Sequence, residues 1–213
     1  MTPIIFAVSI LCSYLIGSIP FGLLFSRLKG VDIRQAGSGN IGATNVFRSV
    51  GKSIGIATFA CDMLKGFAPA FLFPLLALRF AGYIAPQQTL AIVCGIGAIA
   101  GHSWSVFLHF TGGKGVATSA GFLLAIGPAS IGIGLLGWVV ILLLSGYVSL
   151  ASMFAGIIIT VFGWWQFSRD EYSLTVALIF SLLCLLVIYR HKSNIRRLIN
   201  GTENRFNILR RRA

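Results

Sequence analysis

Apolar positions run along this chain in long blocks, and the polar ones gather into a few islands between them. The blocks cover Pro3 to Phe25, Ile54 to Ala81, Thr89 to Phe110, Gly115 to Leu144, Val148 to Phe167 and Tyr172 to Tyr189. Most reach the roughly 20 residues that a helix needs to cross about 30 Å of hydrocarbon. The Gly115 to Leu144 block is too long for one comfortable crossing and carries Gly127-Pro128 near its middle, where a helix breaks. Splitting it predicts about seven spans, with about five if part of it is re-entrant or interfacial. Backbone groups in lipid have to be satisfied within the segment, so the predicted fold is an all-α polytopic transmembrane bundle, one integral membrane domain over residues 1–213.

Composition strengthens the membrane reading: 56% of residues are hydrophobic and 10% charged, where soluble proteins average about 25% charged. The opening MTPIIFAVSI lacks a basic n-region and a small-residue cleavage site, so the first span is expected to be retained. Cys12, Cys61, Cys94 and Cys184 lie singly inside apolar blocks, a pattern that suggests neither a disulfide framework nor a metal site.

Charge fixes an expected orientation. The 17 basic residues outnumber the 5 acidic ones and give a net charge of +12. Ser26 to Ser53 holds Arg27, Lys29, Arg34, Arg48 and Lys52, and the tail from Arg190 to Ala213 holds eight more. Basic residues near span ends favour the cytoplasm, which predicts both segments inside and the N-terminus outside. Arg79, Tyr83 to Gln88 and the Arg169-Asp170-Glu171 turn then face outward. The positive charge is thus mostly a topology signal, and a nucleic-acid partner is not expected because no soluble basic domain carries it. The final RFNILRRRA also suits a surface of anionic lipid.

Three polar islands fall on the predicted cytoplasmic side, where they are expected to converge: GSGNIGATNVFR (37–48), GHSWSVFLHFTGGKGVAT (101–118) and RHKSNIRRLINGTENRF (190–206). The first contains G-x-G-x-x-G, with Asp62 20 residues after Gly42. A dinucleotide fingerprint needs a buried strand before it, however, and KGVDIRQA is not one. GGKG is no P-loop, since Gly115 follows the lysine where Ser or Thr is required. What these glycines can offer is backbone N–H groups close to an anion at a helix start. Ser38, Asn40, Thr44 and Asn45 add neutral donors, and Arg48 adds a planar fork suited to phosphate. On this segment alone, a phosphate cradle and an ordinary polar loop both remain open.

Lys114, set among Gly112, Gly113 and Gly115, favours the cradle as a second phosphate contact with little steric cover. His102 reads in isolation as a base, a donor or an interfacial packing residue. It has no H-x-x-x-x-D partner, because position 107 is Phe107. Asp62 and Lys65, at i and i+3 within an apolar block, read as a structural pair near the site, with a proton path as the functional alternative. A small anion carrier is the competing function class, but no inverted repeat is visible and the islands share one face rather than the midplane. A noncatalytic scaffold leaves the three polar motifs unexplained.

The islands resemble, in order and at suitable spacing from Ile16 to Phe206, the three motifs of the bacterial acyl-phosphate:glycerol-3-phosphate acyltransferase family, small membrane enzymes of phospholipid synthesis. The resemblance implies transfer of a fatty acyl group from acyl-phosphate to glycerol-3-phosphate, giving lysophosphatidic acid and phosphate at the bacterial inner membrane. It implies His102 and Asn194 as catalytic residues, with either His102 or a phosphate oxygen of the substrate taking the hydroxyl proton, and Ser38, Asn40, Asn45, Arg48, Lys114, His191 and Glu203 as substrate-binding ones. No metal, cofactor or obligate protein partner is implied; the partners are the two substrates and membrane lipid. Ser105 stands where the family often has proline, and Thr111 where it often has a further lysine.

Overall fold

The computed structural model describes residues 2–81 and 87–206. These form ten α-helices: α1 (Thr2–Ser18), α2 (Phe21–Arg27), α3 (Ala43–Ser49), α4 (Lys52–Ala81), α5 (Gln87–Ser103), α6 (Val116–Ile126), α7 (Pro128–Ser145), α8 (Val148–Ser168), α9 (Leu174–Arg190) and α10 (Lys192–Ile199). Short 3-10 turns occupy Ile33–Gln35 and Val106–Leu108. Each predicted apolar block becomes helical, and the long block divides at Gly127 as its proline requires. The all-α membrane fold stands.

Length decides which helices can span. Pro3–Arg27, Lys52–Phe80, Pro128–Ser145 and Val148–Ser168 are long and apolar enough, and α9 with α10, bent by 57°, makes a fifth. The 11 residues of α6 rise only about 16 Å, roughly half the hydrocarbon thickness. Among the described residues, length and composition thus give four spans, or five with the bent pair, near the lower of the two predicted counts. Residues 83–86 of the expected outward segment, and 207–213 of the tail, lie outside the described residues.

The single expected domain is described here as two compact units, Met1–Gly127 and Pro128–Ala213. In the first, small residues set the packing. A methyl on Gly17 would meet the Ala98 carbonyl, and one on Gly101 the Tyr14 carbonyl, so α1 and α5 touch backbone to backbone. Gly66 and Gly121 do the same for α4 and α6, against the carbonyls of Thr118 and Met63. Close approach of this kind drives helix association where lipid is as apolar as leucine. Ile4, Val8, Leu11 and Leu15 leave an exposed apolar stripe on α1 that suits lipid. Leu23, Ile33, Ile41 and Val46 form a buried cluster beneath the first polar island. Pro69 and Pro74 stand inside α4.

In the second unit, Gly134 and Gly137 of α7 admit Ile159 and Ile158 of α8, and Gly163 admits the Phe180 ring of α9. Trp138 Nε1 donates to Ser152 Oγ at 3.2 Å. Gln166 Nε2 donates to Glu171 at 2.6 Å and closes the turn between α8 and α9. After α10 the chain returns, and the Phe206 N–H donates to the Gly146 carbonyl at 2.6 Å.

Candidate active site

The first island is organised by one side chain. Asn45, buried in α3, donates through Nδ2 to the carbonyls of Ala36 at 2.9 Å and Asn40 at 2.8 Å, and its Oδ1 accepts the Ser38 N–H at 3.0 Å. Asn40 Oδ1 accepts the Gly42 N–H at 2.8 Å, and the Gly39 N–H donates to Ala36 at 3.0 Å. The Ser38, Gly39 and Gly42 N–H groups are thus engaged in holding the loop in shape. Gly37 and Gly39 adopt φ of 58° and 70°, conformations that favour glycine, and a methyl on Gly37 would strike Asn45 Oδ1. Such a loop presents side chains instead. Ser38 is exposed on it, and exposed Arg48 stands in the last turn of α3 rather than at its start.

The second island is wound around His102. This residue is buried near the end of α5, and its carbonyl accepts the Gly113 N–H at 3.1 Å. A methyl on Gly112 would run into that carbonyl, and one on Gly113 would fall on Nε2 of the imidazole. The two glycines are needed because the turn wraps both the backbone and the ring of His102. Gly115, at φ 79°, then caps α6 and leaves Lys114 half-buried one residue ahead of it.

On its other edge His102 meets the intramembrane charges. Its Nδ1 lies 3.6 Å from Asp62 Oδ1, the same oxygen that takes Lys65 Nζ at 2.9 Å. Lys65 also donates to the Ile19 carbonyl at 2.9 Å, with the Phe21 ring centroid 5.7 Å away. All three side chains are buried. The sequence reading paired Asp62 with Lys65 but missed the histidine, which comes from another helix 40 positions along. A charged pair inside an apolar block was the signal available. Ser105, the departure from proline, donates through Oγ to the Ser18 carbonyl at 2.6 Å, a tether that proline lacks.

The third island belongs to the second unit. Glu203 accepts from Asn194 Nδ2 and Arg197 Nε, both at 2.6 Å, and from Ser149 Oγ at 2.8 Å. Its carboxylate thus fastens α10 to the start of α8. Burial pushes the Glu203 carboxyl up, but the hydrogen bonds from Asn194, Ser149 and Arg197 outweigh this and hold it below the usual glutamate range. His191 is buried at the bend between α9 and α10, where its Nδ1 bonds the Val187 carbonyl at 2.7 Å.

A cavity of about 440 Å³ opens in the first unit, with Leu23, Leu24, Phe107 and Leu108 on its walls and Arg27 and Arg34 beside them. None of the nine residues singled out from the sequence lines it. The side-chain hydrogen bonds of Arg34 hold the nearby Asp32 carboxyl well below the usual carboxylate range.

With this geometry in view, comparison with known proteins is decisive for the family. The sequence model described as glycerol-3-phosphate acyltransferase matches residues 7–201. Proteins of that name from Aquifex aeolicus and Geobacter sulfurreducens are each 42% identical, the first over 92% of this chain and 97% of its own length, the second over 91% and 94%. The crystal structure of PlsY (YgiH), an integral membrane glycerol 3-phosphate acyltransferase, in its glycerol 3-phosphate form superposes with a TM-score of 0.82 at 41% identity, covering 94% of this chain and 95% of that one. Its lysophosphatidic acid form gives 0.80 at 40% identity. The chain, matched over nearly all its length in sequence and fold, belongs to the glycerol-3-phosphate acyltransferase family, integral membrane enzymes of phospholipid synthesis.

Proposed function

We propose that the acyl donor is acyl-phosphate and that the products are lysophosphatidic acid and inorganic phosphate. The hydroxyl oxygen of glycerol-3-phosphate attacks the acyl carbonyl carbon, the bond from that carbon to the phosphate oxygen breaks, and phosphate leaves. An acyl-phosphate is already activated, so the protein has to supply position and charge stabilisation rather than covalent chemistry. Ser38, Arg48 and Lys114 hold phosphate groups, and His102 takes the hydroxyl proton. Asn45, Asn40 and Glu203 support loops and helices, a role suggested by the hydrogen bonds that engage them. The protein sits in the bacterial inner membrane with its N-terminus outside and these motifs facing the cytoplasm, as the distribution of lysine and arginine favours.

The observation that carries this reading is the turn from Gly112 to Gly115, which brings a buried imidazole edge and an ammonium-bearing residue into one stretch of backbone. One group suits a hydroxyl proton and the other a phosphate. Purified protein given glycerol-3-phosphate with palmitoyl-phosphate is expected to form lysophosphatidic acid, with little formed from palmitoyl-coenzyme A. Equal or faster turnover of the thioester overturns the donor assignment while leaving acyl transfer intact. Absence of product from both donors would sink the catalytic reading.

A further inference from the structure

The cavity of the first unit lies apart from the residues assigned to acyl transfer, and its walls combine apolar side chains with two arginines. We propose that it seats a phospholipid from the surrounding bilayer, an anionic phosphodiester whose phosphate rests on Arg27 beside Arg34 and whose chains begin on Leu24 and Phe107. The site does not depend on the choice of acyl donor or of base.

Three observations carry it. First, the depth is right. The apolar span Pro3–Arg27 ends at Arg27, so the guanidinium stands where hydrocarbon gives way to headgroups. Phospholipid phosphates occupy that level, with their chains just beneath.

Second, the charge fits. Arg34 is committed to Asp32, with Nε donating to the carboxylate at 2.9 Å and Nη2 completing a fork. Arg27 reaches the same carboxylate only at 3.7 Å, with its side chain 56% exposed. Two guanidiniums against one carboxylate leave a single positive charge, carried by the loosely held Arg27. A phosphodiester headgroup brings a single negative one.

Third, the walls suit a chain. Leu23, Leu24, Phe107 and Leu108 line the cavity, with Leu24 44% and Phe107 57% exposed. Phe107 belongs to a closed loop, in which the Ser105 N–H donates to the Thr111 carbonyl at 3.1 Å and the Phe110 N–H to the Ser105 carbonyl at 2.8 Å. His109 and Phe110 take φ of 51° and 57° there, a backbone that bulky residues adopt only where their surroundings hold it. The ring is thus kept out beside the cavity, where a lipid chain buries it and a small hydrated anion gains nothing from it. A volume of about 440 Å³ accommodates a headgroup and the first part of its chains.

An occupant here touches the supports of two islands. Leu23 packs with Ile41 and Val46 under the first, with Leu108 against the same cluster, and Thr111 directly precedes the Gly112–Gly115 turn of the second. The bound lipid therefore braces both segments.

The test is native mass spectrometry of the full-length protein in detergent, titrated with dioleoyl phosphatidylglycerol or with phosphatidylcholine of the same chains. The first phosphatidylglycerol should bind about 5-fold or more tightly than the first phosphatidylcholine, the worth of one arginine near a lipid surface. Arg27→Gln should erase that preference. Leu24→Trp, which fills the cavity, should lower occupancy by both lipids, and Arg169→Gln, at an exposed arginine of the second unit, should alter neither. Excess glycerol-3-phosphate should leave the bound lipid in place, because the cavity is lined by none of the residues assigned to that substrate.

Equal affinity of the wild-type protein for the two lipids, or a preference that survives Arg27→Gln, overturns the proposal. Displacement by glycerol-3-phosphate would put the lipid at the substrate site, and displacement by inorganic phosphate would make the cavity a site for free anions; either outcome overturns it as well. Unchanged occupancy in Leu24→Trp removes the cavity as the seat. Should that variant not fold, Arg27→Gln, at an exposed side chain, decides together with the wild-type preference.

Discussion

Arg48 and Lys114 share a chemistry but differ in how they are presented. Arg48 is an exposed side chain in the last turn of a seven-residue helix, and Lys114 is half-buried between glycines that fit around His102. In the proposed function, replacing either with alanine removes a charge-assisted phosphate contact, which costs about 1.5 to 3 kcal/mol, or about 10- to 150-fold in kcat/KM. Measured turnover of glycerol-3-phosphate should fall in that range for both, with unchanged thermal unfolding. Near-normal kinetics in both would remove support for the phosphate contacts. Their candidacy was legible in the sequence because a cation flanked by glycines can approach an anion closely, although Arg48 reads equally as a charge that sets topology. The role of Asn45 was not, since an amide reads as a ligand donor until its partners are known, and here they are the carbonyls of Ala36 and Asn40.

Among the elements, helices were the easiest to read and their contacts the hardest. Apolar runs announce helices whatever surrounds them, so α4, α8 and α9 follow from the pattern alone. Which faces meet depends on glycines such as Gly66 and Gly121, and nothing in a run of apolar residues separates a glycine at a seam from one at a lipid face. The link between α10 and α8 was likewise invisible, because Glu203 reaches Ser149 across 54 positions. It has a testable consequence. A carboxyl held below its usual range contributes stability that is full above the unfolded value of about 4.5 and is lost as pH falls through the lower folded value. Thermal unfolding in detergent should therefore drop on acidification below about pH 4.5, and Glu203→Gln should unfold earlier at pH 7, by about 1.5 to 3 kcal/mol, with a flatter acid limb. An acid limb as steep in the variant as in the wild type would place the titration elsewhere.

For the whole molecule, the distribution of charge favours one sidedness, which labelling can test. The excess of lysine and arginine between Ser26 and Ser53 favours a cytoplasmic place for that segment, so the proposed topology has one crossing from an external N-terminus. In a cysteine-free background, Leu28→Cys, at an exposed position, should react with an impermeant maleimide only in inverted vesicles, and Thr2→Cys only in intact cells stripped of their outer layer. The opposite labelling would invert the orientation. The break of the long block at Gly127 is legible in the sequence, but the shortness of α6 is not, because Gly115 ends a polar turn and begins a helix with no change in hydropathy to mark how deep it lies.

The two prolines of α4 bear on how this enzyme meets its solvent. Neither offers an N–H, so the carbonyls of Lys65 and Ala70, four residues before each, lose their usual partner within the helix. The rod is therefore compliant just beyond Lys65, on the side away from Asp62. Bilayers thicken, thin and ripple, and a stiff thirty-residue rod would carry every such strain along its length. With the soft section where it is, the far half of α4 can tilt to follow the lipid while the near half stays still, and the buried pair of Asp62 and Lys65 is mechanically insulated from the membrane that encloses it.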